Sequence, residues 1–192
     1  MTESVLTDHI KTYVTLSEEE LSKIVLFFDC HSYNKKETLL FAEKRCDTLF
    51  FVEKGCLQLY FIDSLGNPKT SQFAIENWWL TDFLAFQDQR PSNFYIETVE
   101  HSTILSISFS KYQGLLDKFP KMEKYFRIIY ETAYGAALMR LKYVHSLSKE
   151  EMFFRFRDSF PEFVQRVPQY LLASFLGLTP EYLSEIKGKQ LS

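Results

Sequence analysis

The chain has 192 residues, of which 46% are apolar and 17% aromatic, and it carries a formal net charge of −3. This length suffices for one large domain or two small ones, and no apolar run approaches the roughly 20 residues of a membrane-spanning helix. The slightly acidic balance argues against indiscriminate nucleic-acid binding, and the polar N-terminus lacks the pattern of a signal peptide. We therefore expect a cytoplasmic protein with no membrane partner.

The first 30 residues are predicted to be helical, because Ser17 followed by Glu20 is a capping pattern that precedes apolar residues at helical spacing. From about Thr38 to Phe109, short alternating segments are separated by turns, one of them at Gly55. Several short strands at this spacing predict a jelly roll or a small barrel.

One long helix is predicted from Lys121 to Leu147, and a short helix from Lys149 to Arg157 follows it. The long helix carries apolar and small residues in two rows at heptad spacing, as in helices that pair with a second copy. The predicted homodimer interface contains Met122, Phe126, Ile129, Ala133, Ala136 and Tyr143. The alternative is that the same face packs onto the barrel of its own chain.

The run from Leu171 to Ile186 predicts two short helices joined by a tight turn. Gly177 can take the positive φ that ends the first helix, and Thr179 is a good N-cap for the second. Ala173 is small enough for the helices to cross closely, and Leu183 lies ten residues after it. This is the spacing of a helix-turn-helix, so DNA is the first partner to consider. The alternative is an ordinary helical hairpin.

Charge supports this order of parts. Residues 1–120 carry 11 Lys and Arg against 17 Asp and Glu, whereas residues 121–192 carry 11 against 8. An acidic first part and a mildly basic last part are typical of a sensor joined to a DNA-binding module.

From about Leu21 to Lys189 the chain resembles the Crp/Fnr family of bacterial transcription regulators. The resemblance rests on Phe51–Gly55, the turn from Asp63 to Gly66 and the Ala173/Gly177/Leu183 spacing; Trp78–Phe83 with Pro91 and Ser92 resembles a Bacteroidetes branch. It implies an α+β fold with an N-terminal double-stranded β-helix jelly roll of the cyclic-nucleotide-binding type over residues 1–120. A long dimerisation helix over 121–147 and a helix-turn-helix without an evident wing over 148–192 would follow.

In the cyclic-nucleotide-binding members of that family, a Gly-Glu pair contacts the ribose and a later Arg pairs with the cyclic phosphate. By this resemblance the Glu corresponds to Asp82 and the Arg to Ser92, so the acid is shortened and the guanidinium is lost. Arg90 lies two residues early, and Pro91 fixes the backbone between them. Losing an ion pair to a buried phosphate costs several kcal/mol, so we expect no binding of cAMP at physiological affinity.

The predicted ligand residues are Trp79, Thr81, Asp82, Phe83, Arg90, Ser92 and Asn93, with Phe73 and Phe86 as further apolar lining. No cofactor is predicted, although a cyclic nucleotide is the ligand that the resemblance implies. Two alternatives remain: an unknown small-molecule effector, or a barrel filled by its own side chains.

The predicted DNA-binding residues are Gln169, Thr179, Glu181, Tyr182, Ser184, Lys187 and Lys189, with Arg155, Arg157 and Arg166 as further phosphate contacts. Family members that read GC-rich sites present Arg where this chain has Pro180 and Glu185. From Ser148 onward there are six basic and six acidic residues, so we expect weak, salt-sensitive DNA binding. The sequence stops soon after the second helix, so we expect no wing.

Enzyme function is not expected, and neither catalytic residues nor a metal site are predicted. The four histidines are scattered, and Cys30, Cys46 and Cys56 match no metal-binding spacing, so we expect reduced thiols. We therefore predict a homodimeric DNA-binding regulator. The main alternative is a scaffold that kept the fold and lost DNA recognition. A neutral second helix with prominent Glu181 and Glu185 would favour this alternative. A small-molecule carrier would require an open apolar pocket near Trp79.

Overall fold

The structure, a computed structural model, describes residues 5–188. Two short helices open it, α1 (Val5–Lys11) and α2 (Glu18–Ile24), and a 3₁₀ turn follows at Val25–Phe27. Ser17 Oγ accepts a hydrogen bond from the Glu20 amide, and the Glu20 carboxylate accepts one from the Ser17 amide. This confirms the predicted capping pattern, since both bonds satisfy amides that the first turn of α2 leaves without partners.

Eight strands follow within the described residues: β1 (Asp29–Tyr33), β2 (Thr38–Leu40), β3 (Thr48–Lys54), β4 (Leu57–Ile62), β5 (Pro68–Ala74), β6 (Trp79–Leu80), β7 (Tyr95–Thr98) and β8 (Ser102–Ser108). They form two four-stranded antiparallel sheets in the orders β1-β8-β3-β6 and β2-β7-β4-β5. A six-residue helix, α3 (Phe83–Asp88), joins β6 to β7. The predicted jelly-roll barrel is confirmed as this two-sheet sandwich.

The turn between β3 and β4 requires glycine. Gly55 has φ +109°, and a Cβ at this position would lie 2.2 Å from Ser102 Oγ. A side chain here would therefore be strained in its backbone and would collide with β8. The sequence prediction of a tight turn at Gly55 is confirmed.

The core of the sandwich is rich in aromatic residues and includes two helices that follow it, α4 (Phe109–Lys118) and α5 (Lys121–Ser146). Trp79 packs against Phe51 with ring centroids 5.0 Å apart and against Phe126 of α5 at 5.3 Å. Trp79 Nε1 donates to the Tyr125 hydroxyl at 2.8 Å, and this hydroxyl lies 2.7 Å from His9 Nδ1 of α1. Helices from both ends of the sandwich therefore complete its core.

Four helices form the C-terminal module: α6 (Lys149–Ser159), α7 (Pro161–Arg166), α8 (Gln169–Leu176) and α9 (Pro180–Gly188). Phe153, Leu172 and Ile186 are among the buried residues of a separate apolar core. Sequence analysis did not predict α7, which begins with proline at its first position. The absence of a wing concerns residues beyond 188 and lies outside the described residues.

Candidate ligand pocket and nucleic-acid interface

Asp82, the predicted counterpart of the ribose-binding Glu, instead binds the backbone and side chains of its own chain. Its side chain is the N-cap of α3, where Oδ1 accepts from the Ala85 amide at 3.1 Å. Its other oxygen, Oδ2, accepts from Ser92 Oγ at 3.0 Å and from the Asn93 amide at 3.3 Å. With 8% of Asp82 exposed, the carboxylate links α3 to the loop before β7. It supplies internally the negative charge that the start of a helix favours.

The other predicted ligand residues of this region are committed to internal contacts. Trp79 is 5% exposed and lies in the aromatic core described above. Thr81 Oγ1 donates to the Thr48 carbonyl at 2.8 Å and lies 3.2 Å from Cys46 Sγ. Phe83 packs edge-on against Tyr130 of α5, with ring centroids 5.2 Å apart. These side chains complete the barrel core and its contact with α5.

Arg90 does not take the place of the missing guanidinium. Its side chain is exposed, and its Nε lies 3.4 Å from Asp88 Oδ2 at the surface. Ser92 is buried, and its hydroxyl also accepts from the Phe94 amide, whereas Asn93 is exposed. Two half-open surface hollows, of about 530 and about 430 Å³, occur among the described residues, and none of the predicted ligand residues lines either of them. Phe73, also expected in the pocket, instead contacts Phe163 and Phe175 of the C-terminal module.

The helix pair α8–α9 has the predicted local geometry. Gly177 ends α8 in the left-handed conformation at φ +68°, and its amide bonds to the last carbonyls of that helix. Thr179 Oγ1 accepts from the Tyr182 amide at 3.2 Å, which caps α9. Leu183 and Ile186 are fully buried in the cluster that includes Ala173. A short helix, a left-handed glycine and a capped second helix thus form the two short helices with a tight turn that the sequence predicts.

The solvent face of α9 is polar and acidic. Glu181, Ser184 and Glu185 are exposed, while Tyr182 is half-buried, with its hydroxyl 3.5 Å from Glu150 Oε1. Lys187 lies over the Phe153 ring at 5.9 Å, so its ammonium sits on the flank that faces α6. Lys189, also predicted to contact DNA, lies outside the described residues. Within residues 180–188, the solvent-exposed helix face is therefore neutral to acidic.

Basic groups near the start of α9 come from other elements and were missed at the level of sequence. Lys149 Nζ of α6 donates to the Gly177 carbonyl at 3.0 Å. Lys69 of β5 and Lys149 line the 530 Å³ hollow together with Thr179 and Tyr182. Nothing in their local sequence marks them, since Lys69 is brought in from the barrel. Gln169 is exposed at the first position of α8.

The first part of the predicted dimer row on α5 packs onto its own chain. Met122 is fully buried and Phe126 is 1% exposed in the barrel core, and Ile129 packs against that core. Tyr143 contacts Arg155 of α6, with the guanidinium 4.7 Å from the ring centroid. Ala133 is half-buried, and Ala136 is exposed. The stated alternative, that this face packs onto its own barrel, therefore applies to the first turns of α5, because its large apolar side chains fill the core.

A different row of α5 is exposed and apolar. Tyr134 is 67% exposed, Leu138 47%, Leu141 55% and Val144 53%. This row is rotated about 100° around the helix from the predicted one. Sequence analysis did not select it because both rows are apolar and only the position of the barrel distinguishes them.

Residues 5–188 contain no group of three or more His, Cys, Asp or Glu side chains placed to hold a metal ion. No helix in the same range combines the length and hydropathy that crossing a membrane would need. The three cysteines are free, and Cys46 and Cys56 are buried.

Comparison with known proteins gives one family match over part of the chain and several solved structures of similar fold. Residues 30–119 match the family model described as cyclic nucleotide-binding domain. No curated protein matches the chain. Similar solved structures include the c-di-GMP-responsive global regulator CLP of Xanthomonas campestris, with TM-score 0.73, 12% identity and coverage of 91% of this chain and 92% of that one.

Two other solved structures are also similar in fold to this chain. FixK2 of Bradyrhizobium japonicum has TM-score 0.70 and 13% identity, covering 84% of this chain and 83% of its own. The catabolite activator protein of Thermus thermophilus has TM-score 0.59 and 16% identity, covering 92% and 84%. At these identities the likeness establishes the fold, an α+β arrangement of a cyclic-nucleotide-binding sandwich and a C-terminal helical region.

Proposed function

We propose that this chain, with a Crp-like fold and a segment that matches the cyclic nucleotide-binding domain, is a homodimeric DNA-binding transcription regulator that does not respond to cAMP. The observation that carries the proposal is the α8–α9 pair, in which a left-handed Gly177 and the Thr179 cap set a second helix across the first. In helix-turn-helix proteins that second helix enters the major groove. The Bacteroidetes branch remains a prediction.

The sensor is proposed to bind no cyclic nucleotide, because its nucleotide-binding cassette is degenerate. The support is Asp82, whose carboxylate already accepts three hydrogen bonds at the place that the resemblance assigns to the nucleotide. A phosphate there would meet this negative charge and would find no guanidinium, since Arg90 is exposed and lies beside Asp88. Calorimetric titration with cAMP tests this, and micromolar or tighter binding would contradict it. An effector of other chemistry remains unassigned.

The homodimer is proposed to form through the exposed row Tyr134, Leu138, Leu141 and Val144. Tyr134, Leu138 and Leu141 have the alternating four- and three-residue spacing of a coiled-coil seam, and Val144 lies three residues further along the same helix face. These four exposed apolar side chains lie together on one helix face. Exposed apolar residues of a monomeric protein are usually scattered singly, so a contiguous row indicates an interaction surface. Pairing of two α5 helices along it would also place two α9 helices on one dimer, as a two-fold DNA site needs.

DNA contacts are proposed at Glu181, Ser184 and Tyr182 on α9, with Lys149 and Lys69 as phosphate contacts beside its first turn. A carboxylate can accept from a cytosine amino group, and a serine hydroxyl can bond to several bases. With few cations near α9, binding should be weak and salt-sensitive. Gln169, Lys187 and Lys189 stay in the predicted set as peripheral contacts.

Recovery of fragmented genomic DNA at low and higher salt tests the proposal. A shared two-fold-symmetric sequence that fades as salt rises is the expected result. Ser184→Asp places a further charge on the exposed face of α9 and should abolish that enrichment. Ser22→Asp makes the same change on the exposed side of α2, far from the module, and should leave the enrichment intact.

A second candidate is supported by one observation. The exposed face of α9 carries Glu181 and Glu185, and Lys187 turns toward Phe153, as expected of a scaffold that has lost DNA recognition. The same experiment separates the two candidates, because a scaffold would recover no sequence at either salt concentration. Uniform recovery that ignores Ser184→Asp would also favour the second candidate.

A further inference from the structure

A chain of hydrogen bonds connects the first helix to the long helix that follows the barrel. Trp79 Nε1 of β6 donates to the Tyr125 hydroxyl of α5 at 2.8 Å, and that hydroxyl lies 2.7 Å from His9 Nδ1 of α1. Trp79 is 5% exposed, Tyr125 is fully buried and His9 is half-buried. Three elements that are far apart in the sequence therefore meet at one hydroxyl group.

The chemistry of the three groups fixes the direction of this chain. An indole N–H can only donate, so the Tyr125 oxygen accepts from Trp79. Within residues 5–188, His9 is the other hydrogen-bond partner of this hydroxyl, so the hydroxyl proton has an acceptor only if His9 Nδ1 accepts it. The neutral imidazole with its proton on Nε2 therefore satisfies every group of the chain.

A charged imidazole does not fit the same arrangement. An imidazolium carries protons on both ring nitrogens, so a protonated His9 would donate to the Tyr125 oxygen. That oxygen would then accept two hydrogen bonds, and the hydroxyl proton would lie in the core without an acceptor. A buried polar group without a partner destabilises the state that buries it. Protonation therefore favours a state in which His9 has left Tyr125.

Aromatic rings surround the imidazole of His9. Its ring centroid lies 5.5 Å from that of Phe51 of β3, 5.1 Å from that of Tyr13 and 5.8 Å from that of Tyr125. Tyrosine hydroxyls are uncharged below about pH 9, so these neighbours bring no negative charge to balance an imidazolium. Burial lowers the pKa of the His9 imidazole below its ordinary value of 6.5.

The charged side chains on α1, β3 and the start of α5 are exposed or have other partners. These are the exposed Asp8, Glu123 and Lys124, Lys11 with Glu18 at 3.0 Å, Lys121 with Glu20 at 3.2 Å, and Glu53 at 3.9 Å from Cys30 Sγ. None of these described groups contributes to the shift of the His9 pKa, for which burial is the cause. A positive charge on His9 is therefore not compensated from any of the three elements.

Helix α1 depends on its packing. It has seven residues, and helices of this length are not stable on their own in water. Leu6 and Ile10 are fully buried in the apolar core that also contains Phe51 and Tyr125. A modest change in the free energy of this packing therefore changes how often α1 leaves the surface.

We propose that His9 is a pH-sensitive clasp, which holds α1 against β3 and α5 while its imidazole is neutral and loosens that helix when it is protonated. Loosening uncovers the apolar side chains beneath Leu6 and Ile10. The docked helix binds the proton more weakly than the released helix, so docking is fully stable above about pH 6.5 and weakens as the pH falls below it. One pH unit lower, linkage limits the loss to about tenfold. This behaviour requires neither DNA binding nor a dimer.

Hydrogen exchange followed by mass spectrometry measures the docking of α1. Peptides covering residues 5–14 and residues 48–54 of β3 are compared at about pH 7.5 and about pH 5.5, with labelling times scaled to the chemical exchange rate at each pH. Protection of residues 5–14 should fall about tenfold at the lower pH, whereas residues 48–54 should stay protected. NMR of the wild-type imidazole should show the Nε2–H tautomer at the higher pH and a titration midpoint below about 6.5.

Two variants show whether His9 is the group that titrates. His9→Gln keeps an acceptor oxygen for the Tyr125 hydroxyl but cannot be protonated, so residues 5–14 should be equally protected at both pH values. His31→Gln is the matched control, because it replaces an exposed histidine of β1 and should leave the wild-type pH response unchanged.

Several results would overturn the clasp. One is an imidazole that carries its proton on Nδ1 at the higher pH, or whose midpoint lies above that of free histidine. Another is protection of residues 5–14 that does not change with pH, and a loss that persists in His9→Gln would assign the effect to a different group. If His9→Gln left α1 unprotected at both pH values, the clasp would stand on the wild-type tautomer, midpoint and pH response, and the opposite result for any of these would overturn it.

Discussion

Replacement of Asp82 by alanine should destabilise the barrel far more than a single exposed carboxylate would. The change removes the N-cap of α3, which costs about 1 kcal/mol. It also removes the acceptor of the Asn93 amide at 3.3 Å, at a further cost of about 0.5–1 kcal/mol because this exposed residue can bond to water instead, whereas the Ser92 hydroxyl keeps the Phe94 carbonyl. We expect a loss of about 1.5–2 kcal/mol in the free energy of unfolding. Asp82→Asn, which keeps one acceptor oxygen, should lose about half as much.

The assay is urea unfolding followed by the fluorescence of Trp79, which is 5% exposed in the barrel core. Trp78, 44% exposed, is replaced by phenylalanine in every variant so that one indole reports. Asp88→Ala is the matched control, because this carboxylate lies at the other end of α3 and pairs only with the exposed Arg90, and its loss should cost at most about 0.5 kcal/mol. If both alanine variants unfold at the same urea concentration, the proposed internal role of Asp82 is refuted.

Three other predictions concern the Gly55 turn, the ion pair between Glu76 and Arg166, and the dimer. Gly55→Ala should cost about 3 kcal/mol or more in thermal or urea unfolding, because its Cβ would lie 2.2 Å from a serine oxygen of β8, whereas Gly66→Ala, with φ +82° and open space, should cost about 1 kcal/mol. Because the pKa of Glu76 falls from 4.5 to about 2 on folding, its contribution is complete above pH 4.5 and is lost as the pH falls toward 2. Discounted for solvent screening, that contribution to the free energy of unfolding is about 1–2 kcal/mol. Glu76→Gln should therefore reduce the loss of stability between pH 5 and pH 2.5, measured by urea midpoints. If stability fell with pH as steeply in this variant as in the wild type, the ion pair with Arg166 would be contradicted. Leu141→Glu should give a single chain of 22.7 kDa by sedimentation, while Leu26→Glu, on another exposed surface, should leave the dimer; a monomeric wild type would argue against the proposed interface.

Features that depend on local chemistry were predictable from the sequence. The Ser17 cap, the Gly55 turn and the Gly177–Thr179 junction each need only residues within a few positions of one another, and the structure confirms all three. Strand β1 was missed because Asp29–Tyr33 is exposed at every position but the last and so shows no apolar alternation. Its place in the sheet comes from pairing with β8, more than 60 residues away.

In the candidate site, too, local features could be predicted from the sequence, whereas contacts between distant residues could not. Sequence comparison pointed to Asp82 and Ser92 together, and the structure brings their side chains within 3.0 Å. The sequence comparison did not show that the Asp82 carboxylate would cap α3 and so accept its hydrogen bonds from its own chain. Arg166, expected near DNA, pairs with two barrel carboxylates whose positions in the sequence are 90 and 66 residues away. Such pairs depend on how the module docks, for which no local pattern exists.

The hydroxyl of Tyr125 has a consequence for the exchange of sensors between proteins of this fold. It accepts from Trp79 Nε1 inside the barrel and contacts His9 of the first helix. A fragment cut at the limits of the matched domain, residues 30–119, would keep Trp79 but lose both Tyr125 and His9, so the Trp79 indole N–H would have no acceptor. The smallest transplantable sensor therefore extends from α1 into the second turn of α5, and a chimaera joined anywhere inside those limits would inherit a defect in its core.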